Sequence, residues 1–168
     1  SHVCSGAKVG ERVSMGQNTF TGNQVVIGND CKIQNNVSIY DGVTLQDHVF
    51  CGPSVVFTNV YNPRASIPRK HEIKKTLVET GVTLGANSTV ICGTVIRKHS
   101  FIAAGALVNK DVNDYELIIG VPGKRVESIA LPPTEIDLGT LPPDERCDSN
   151  VFGSAFAVSY THLTLPRI

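Results

Sequence analysis

Residues 25–45 read VVIGNDCKIQNNVSIYDGVTL, and a single spacing organises the stretch. Large apolar side chains fall at Ile27, Ile33, Ile39 and Leu45, with a smaller one two residues before each, at Val25, Cys31, Val37 and Val43. The step is six. An amphipathic helix repeats every 3.6 residues, so its apolar stripe would drift around such a pattern. Working outward, the step holds at Val3, Val9, Met15 and Thr21 on one side and at Cys51 and Phe57 on the other. It then breaks and resumes at Val78, Leu84, Val90, Ile96, Ile102 and Val108. Fourteen of these sixteen residues are Val, Ile, Leu, Met or Phe. The fourth residue after each is Ala, Val, Thr, Cys or Ser in every hexad but one, where Tyr61 stands.

A hexad with one large and one small inward side chain describes a coiled parallel sheet. Three hexads close a triangular coil, and successive coils stack about 4.8 Å apart through parallel strand hydrogen bonds. Glycine follows the large residue at positions 10, 16, 22, 28, 52 and 85, and the intervening Gly or polar residues are expected to turn the corners, where Gly accepts positive φ cheaply. A β-sandwich would need hairpin signals instead. There is no Asn-Gly, and the single Asp-Gly, Asp41-Gly42, lies inside a hexad.

Composition sets outer limits. A chain of 168 residues is one domain, or one with a tail. Fifteen Lys and Arg balance fifteen Asp and Glu, which argues against nucleic-acid binding, since phosphate contact normally leaves a basic excess. No run approaches the roughly 18 apolar residues of a membrane span, and no signal-peptide core opens the chain. Five cysteines without a CxxC pair fit a reduced, cytoplasmic setting. The chain opens at Ser1-His2-Val3, without Met and already inside the period, and reads as a piece lacking its true N-terminus. The expected organisation is a β-helix over 1–113 with an inserted loop at about 62–77, an extended or helical segment over 114–130, and an irregular tail over 131–168. The stretch from Val158 to Ile168 shares nothing with the body and reads as non-native sequence.

The break in the period is where chemistry is expected. Phe57 and Val78 are 21 residues apart, not a multiple of six, so an excursion (NPRASIPRKHEIKKTL) leaves the solenoid with six basic residues against one Glu. Loops that project from repeat scaffolds are common seats of binding groups, and this one suits an anionic ligand; a solvated surface loop is the plain alternative.

The hexads together with Phe57-Thr58-Asn59-Val60-Tyr61-Asn62-Pro63-Arg64-Ala65 and Gly120-Val121-Pro122-Gly123-Lys124 resemble the hexapeptide-repeat acyltransferases. Within them the chain is similar to nucleotide-sugar 3-N-acetyltransferases of the type acting on UDP-2-acetamido-3-amino-2,3-dideoxy-glucuronate. The resemblance implies an all-β, left-handed parallel β-helix, acetyl-CoA as co-substrate, no metal, and a homotrimer with sites between subunits. It also implies a role in bacterial surface polysaccharide synthesis. Asn59 occupies the position expected to carry catalysis without a histidine base, by accepting a hydrogen bond from the attacking amine. Gln34, Asn35, Tyr40, Tyr61 and Arg64 are the expected acceptor-binding residues. Gly85, Asn87, Ala104, Gly105, Lys110 and Lys124 are expected along acetyl-CoA, the glycine-rich backbone beside the pantetheine arm and the lysines near phosphates.

Alternatives stay open residue by residue. Gln34, Asn35 and Asn36 can equally ladder between coils. Tyr61 either faces a site or plugs the core where the loop departs. His48 and His99, three residues after Leu45 and Ile96, sit at expected corners, leaving His71 as the candidate base in the loop and His2 near the expected site. Other functions compatible with the fold are a dTDP-3-amino-6-deoxyhexose N-acetyltransferase, a non-catalytic relative, and a metal-dependent hydratase. The last requires three clustered histidines, whereas His48, His71 and His99 lie 23 and 28 residues apart.

Overall fold

A computed structural model describes residues 1–128, with side chains as far as Val126. The tail expected over 131–168, with Cys147 and His162, lies outside the described residues. The chain winds through three sheets in turn. The first contains His2–Val3, Phe20–Thr21, Ser38–Ile39, Val56–Phe57, Thr89–Val90 and Leu107–Val108. The second contains Lys8–Val9, Val26–Ile27, Val43–Leu45, Thr76–Val78 and Val95–Ile96. The third runs through Ser14–Met15, Lys32–Ile33, Phe50–Cys51, Thr83–Leu84, Phe101–Ile102 and Glu116–Ile119, and ends on Lys124–Ser128. All pairings are parallel except the last, so the chain is a parallel β-helix of about six turns.

The sequence period becomes register directly. His2 pairs with Phe20, Lys8 with Val26 and Ser14 with Lys32, each eighteen residues on. Large inward residues stack on their own kind: Ile27, Ile33, Ile39, Leu45, Phe57, Leu84, Ile96 and Ile102 are at most 2% exposed. Val3 and Val9 hold the same inward positions in the first coil but stay exposed, because a coil covers them on one side only.

Of the glycine and polar residues expected to turn the corners, positive φ falls on Asn18, Asp30, Asn36, His48, Asn87 and His99 and on Gly42, Gly81, Gly93 and Gly105, not on the glycine directly after the core residue. These sit three residues after the large core residue, in a conformation that Asn, Asp and His tolerate better than most. The glycine directly after the core residue answers a steric demand. A Cβ on Gly85 would lie 2.5 Å from the Ala104 nitrogen and 2.8 Å from the Ile102 oxygen, so the next coil leaves no room for it.

Corner side chains then tie coil to coil. Asn29 Oδ1 accepts the Glu11 N–H at 2.8 Å, Asp47 Oδ1 the Asn29 N–H at 2.6 Å and Asn35 Oδ1 the Gln17 N–H at 2.8 Å. Each satisfies a backbone donor that the two-residue strands leave over.

Two features depart from the regular coil. Thr76 pairs with Val43, 33 residues back rather than eighteen, so the fourth coil holds fifteen extra residues. The loop rejoins the sheet at Thr76, not after Leu77 as expected, since Thr76 and Leu77 already pair with Val43 and Thr44. At the far end, where an extended or helical segment is expected, Lys124–Ser128 is a strand folded back antiparallel on Glu116–Ile119, covering the open edge of the third sheet.

The glycine assignment has a direct test. Gly85→Ala should lower unfolding free energy by about 1–3 kcal/mol through overpacking, read as a lower midpoint in urea. An unchanged midpoint would mean that the coils are not in close backbone contact at this corner.

Candidate functional site

The fifteen-residue insertion leaves the solenoid at Asn59 and is pinched at its neck. The Lys74 N–H donates to the Asn59 carbonyl at 3.0 Å, and the Lys74 ammonium lies 5.0 Å from the centre of the Tyr61 ring. Below the neck, the Thr58 N–H donates to the Val90 carbonyl, and Thr58 Oγ1 accepts the Cys92 N–H at 2.9 Å. The main chain of Asn59 is therefore fixed from the loop side and, one residue away, from the solenoid side.

Asn59 lines two concavities. One is a groove of about 500 Å³ bordered by Thr58, Val60, Tyr61, Ile91 and Asn109, rising along the solenoid wall. The other is a recess of about 210 Å³ under the loop, bordered by Val60, Arg64, Ile67, Arg69, Lys70 and Ile73. The recess carries three cations and no carboxylate on its lining. Arg69 is held by Glu72, whose two oxygens lie 2.8 and 3.0 Å from Nη1. Arg64 and Ile67 form a bridge through the Ile67 N–H and the Arg64 carbonyl at 3.4 Å.

Three expected residues thus come together: Asn59 with Tyr61 in the groove, and Asn59 with Arg64 in the recess. Tyr61 is 61% exposed, so it does not plug the core. Its inward place in the hexad is vacated because the loop departs there.

Gln34, Asn35 and Tyr40 line neither concavity. Asn35 serves the coil-to-coil ladder through the Gln17 N–H, Asn36 receives the Asn18 side-chain amide at 3.3 Å, and the Gln34 N–H donates to the Cys51 carbonyl. Tyr40 packs on Phe20, ring centres 5.5 Å apart, and Phe20 stacks on His2 at 5.8 Å.

Along the expected acetyl-CoA path, the N–H groups of Gly85, Asn87, Ala103 and Gly105 donate to Ile102, Pro53, Ile118 and Ala86. Those four donors are committed to the solenoid ladder. Ala104 is exposed at that corner. Lys110 borders a small cavity of about 170 Å³ with Asp111, Glu116 and Arg125, while Lys124 lies exposed on the last strand.

The histidines scatter. His71 is 76% exposed and 3.6 Å from Glu72. His48 and His99 occupy corners with positive φ, and His99 stacks on Tyr115 at 5.3 Å. Among the described residues no three His, Cys, Asp or Glu side chains converge as metal ligands, and no helix is long and apolar enough to cross a membrane. Cys31, Cys51 and Cys92 are buried, and burial pushes the Cys31 and Cys51 thiols up, away from the nucleophilic thiolate.

Arg69, Lys70, Ile91 and Asn109 are lining residues that sequence reasoning missed. The two cations belong to the basic run already evident in the loop. Ile91 and Asn109 carry no signal, because the column that they share exists only once coils stack.

Comparison with known proteins agrees with this architecture. The profile of the hexapeptide repeat of succinyl-transferase matches residues 6–41 and 75–110, on either side of the insertion. The chain is 36% identical over 50 residues to dTDP-3-amino-3,6-dideoxy-alpha-D-galactopyranose 3-N-acetyltransferase of Aneurinibacillus thermoaerophilus, covering 30% of this chain and 26% of that protein. It is 38% identical over 79 residues to the galactoside O-acetyltransferase of Lactococcus lactis, covering 45% of this chain and 38% of that one. The chain thus spans well under half the length of these relatives. Among solved structures, a hexapeptide-repeat acetyltransferase of Vibrio cholerae in complex with acetyl coenzyme A superposes with a TM-score of 0.66 at 27% identity, covering 74% of this chain and 72% of that one.

Thiol chemistry can be read out simply. Iodoacetamide should modify half-exposed Cys4 in the native protein while Cys31, Cys51 and Cys92 react only after denaturation, as followed by peptide mass spectrometry.

Proposed function

We propose that the chain is a hexapeptide-repeat acyltransferase that transfers an acetyl group from acetyl-CoA to the 3-amino group of a nucleotide-linked amino sugar. The observation that supports this most is the position of Asn59, shared by a groove along the solenoid and a cationic recess under the loop. One concavity suits the donor arm, the other an anionic acceptor, and their common residue stands where the reacting atoms would meet.

The chemistry asks little of a base. A sugar amine near the α-amino range of about 7.7–8.0 is mostly protonated near pH 7 but keeps a neutral, reactive fraction of about a tenth. What it needs is orientation, which can contribute several kcal/mol. The Asn59 side-chain carbonyl accepts a hydrogen bond from the amine N–H and aims the nitrogen lone pair at the thioester carbon. The C–N bond forms, the C–S bond of the tetrahedral adduct breaks, and the amine's excess proton ends on the released CoA thiol. His71, exposed and beside Glu72, has no part in this scheme.

The finer assignment is a UDP-linked 3-amino uronate, supported by Arg64 on a recess whose lining holds no carboxylate. A dTDP-linked 3-amino-6-deoxyhexose is the second reading, favoured by the relative that acts on such a sugar. Either product suits bacterial surface polysaccharides. The sites are proposed to complete themselves between subunits of a homotrimer, with Lys110 and Lys124 near the CoA phosphates.

The test is release of free thiol from acetyl-CoA in the presence of each sugar nucleotide. Asn59→Ala should lower kcat at least tenfold, about 1.4 kcal/mol of transition-state stabilisation, with native circular dichroism. Wild-type turnover in that variant removes Asn59 from the mechanism. His71→Ala should stay within about threefold of wild type, and kcat/KM should rise with pH along the amine's ionisation without a histidine limb.

A further inference from the structure

Arg69 has no role in the scheme above, yet its setting is unusual for a loop cation. It borders the recess with Asn59, Arg64 and Lys70. Its Nη1 is anchored on the Glu72 carboxylate at 2.8 and 3.0 Å. Its Nε is buried and has no hydrogen-bond partner. Buried donors are almost always satisfied, so one left over in a cationic recess calls for an acceptor from outside the chain.

The geometry fits an oxyanion. Glu72 engages Nη1 alone, leaving the guanidinium edge formed by Nε and Nη2, which matches two oxygens of one carboxylate or phosphate. A lysine could not present that edge. Arg64 and Lys70 are exposed and long, able to close on the same anion, whereas Arg69 is the one cation of the three with a carboxylate holding it in place. Contact with Nε requires the loop to open slightly. The wall containing Arg64 and Ile67 is held by a long bond of 3.4 Å between them and is the part suited to give way.

We propose that Arg69, preset by Glu72, is the residue that binds an oxyanion of the acceptor in the recess beside Asn59, with Arg64 and Lys70 completing the charge. The proposal rests on the acetyl-transfer reading for the identity of the acceptor, but the anion site itself is independent of turnover. Carboxylate and pyrophosphate share this chemistry, and the two candidate acceptors separate them, since both carry pyrophosphate and only the uronate carries a carboxylate.

In the thiol-release assay, Arg69→Gln should raise the KM of the acceptor at least tenfold while the KM of acetyl-CoA stays within about twofold. Arg69→Lys should restore only part of the loss, and Glu72→Gln should raise acceptor KM by a smaller factor through the freed guanidinium. A loss confined to the uronate assigns the carboxylate; an equal loss with both sugars assigns the pyrophosphate. Unchanged acceptor KM for both sugars in Arg69→Gln overturns the proposal while leaving acetyl transfer intact. If wild type releases no thiol with either sugar, acetyl transfer fails, and calorimetric titration with UDP-glucuronate decides the anion site separately. Binding by wild type weakened at least tenfold in Arg69→Gln upholds it; equal binding, or none by wild type, refutes it.

Discussion

Everything in this molecule follows from backbone meeting backbone between stacked coils. A regular coil presents three short strands, and away from the insertion and the last turn each hydrogen-bonds in parallel to its equivalents eighteen residues away in the chain. At Gly85, directly after a large core residue, the backbone of the next coil leaves no volume for a side chain. Two residues further on, the chain enters a positive-φ conformation at most corners, and Asn, Asp and His fill most of those places that glycine does not. Asn29, Asn35 and Asp47, at other corner positions, accept the backbone donors that such short strands leave unpaired. Polar residues that look like ligand contacts in the linear chain are thereby drawn into structural duty.

The same stacking makes a large insertion harmless. Coils on either side of the loop are anchored to their neighbours, so fifteen extra residues leave at Asn59 and the chain re-enters in register at Thr76. The Lys74–Asn59 hydrogen bond closes the neck, and the entropy cost of the loop grows only slowly with its length. The residue at the exit thus inherits the anchoring of the solenoid while facing the side chains of the loop.

Charge is distributed to match. The chain is neutral overall, but its acids are spent elsewhere: Asp47 and Asp41 accept backbone donors at corners, and Asp30 pairs with Arg12 at 2.6 Å. Arg12 holds the Asp30 carboxyl below its ordinary range. In the loop only Glu72 opposes the cations, and it binds Arg69 without lining the recess. The recess therefore presents positive charge with little local compensation, an arrangement that favours an anionic ligand over a neutral one.

The six-residue period, the alternation of large and small inward side chains and the interruption after Phe57 were all legible in the chain, because a solenoid repeats its local demands and leaves them visible in linear order. The basic loop was legible for the same reason, as a departure from the repeat, whereas Asn59 at its exit was singled out by the resemblance of the motif around it to the acyltransferases. What required the folded molecule was everything set between coils. Asn35 bonds to Gln17 rather than lining the recess, Ile91 and Asn109 join Asn59 across two further turns, and the Gly85 and Gly105 amides are consumed by the ladder. Those relations connect residues separated by whole coils, and only the stacking distance and the rotation of each corner decide which side chains share a wall.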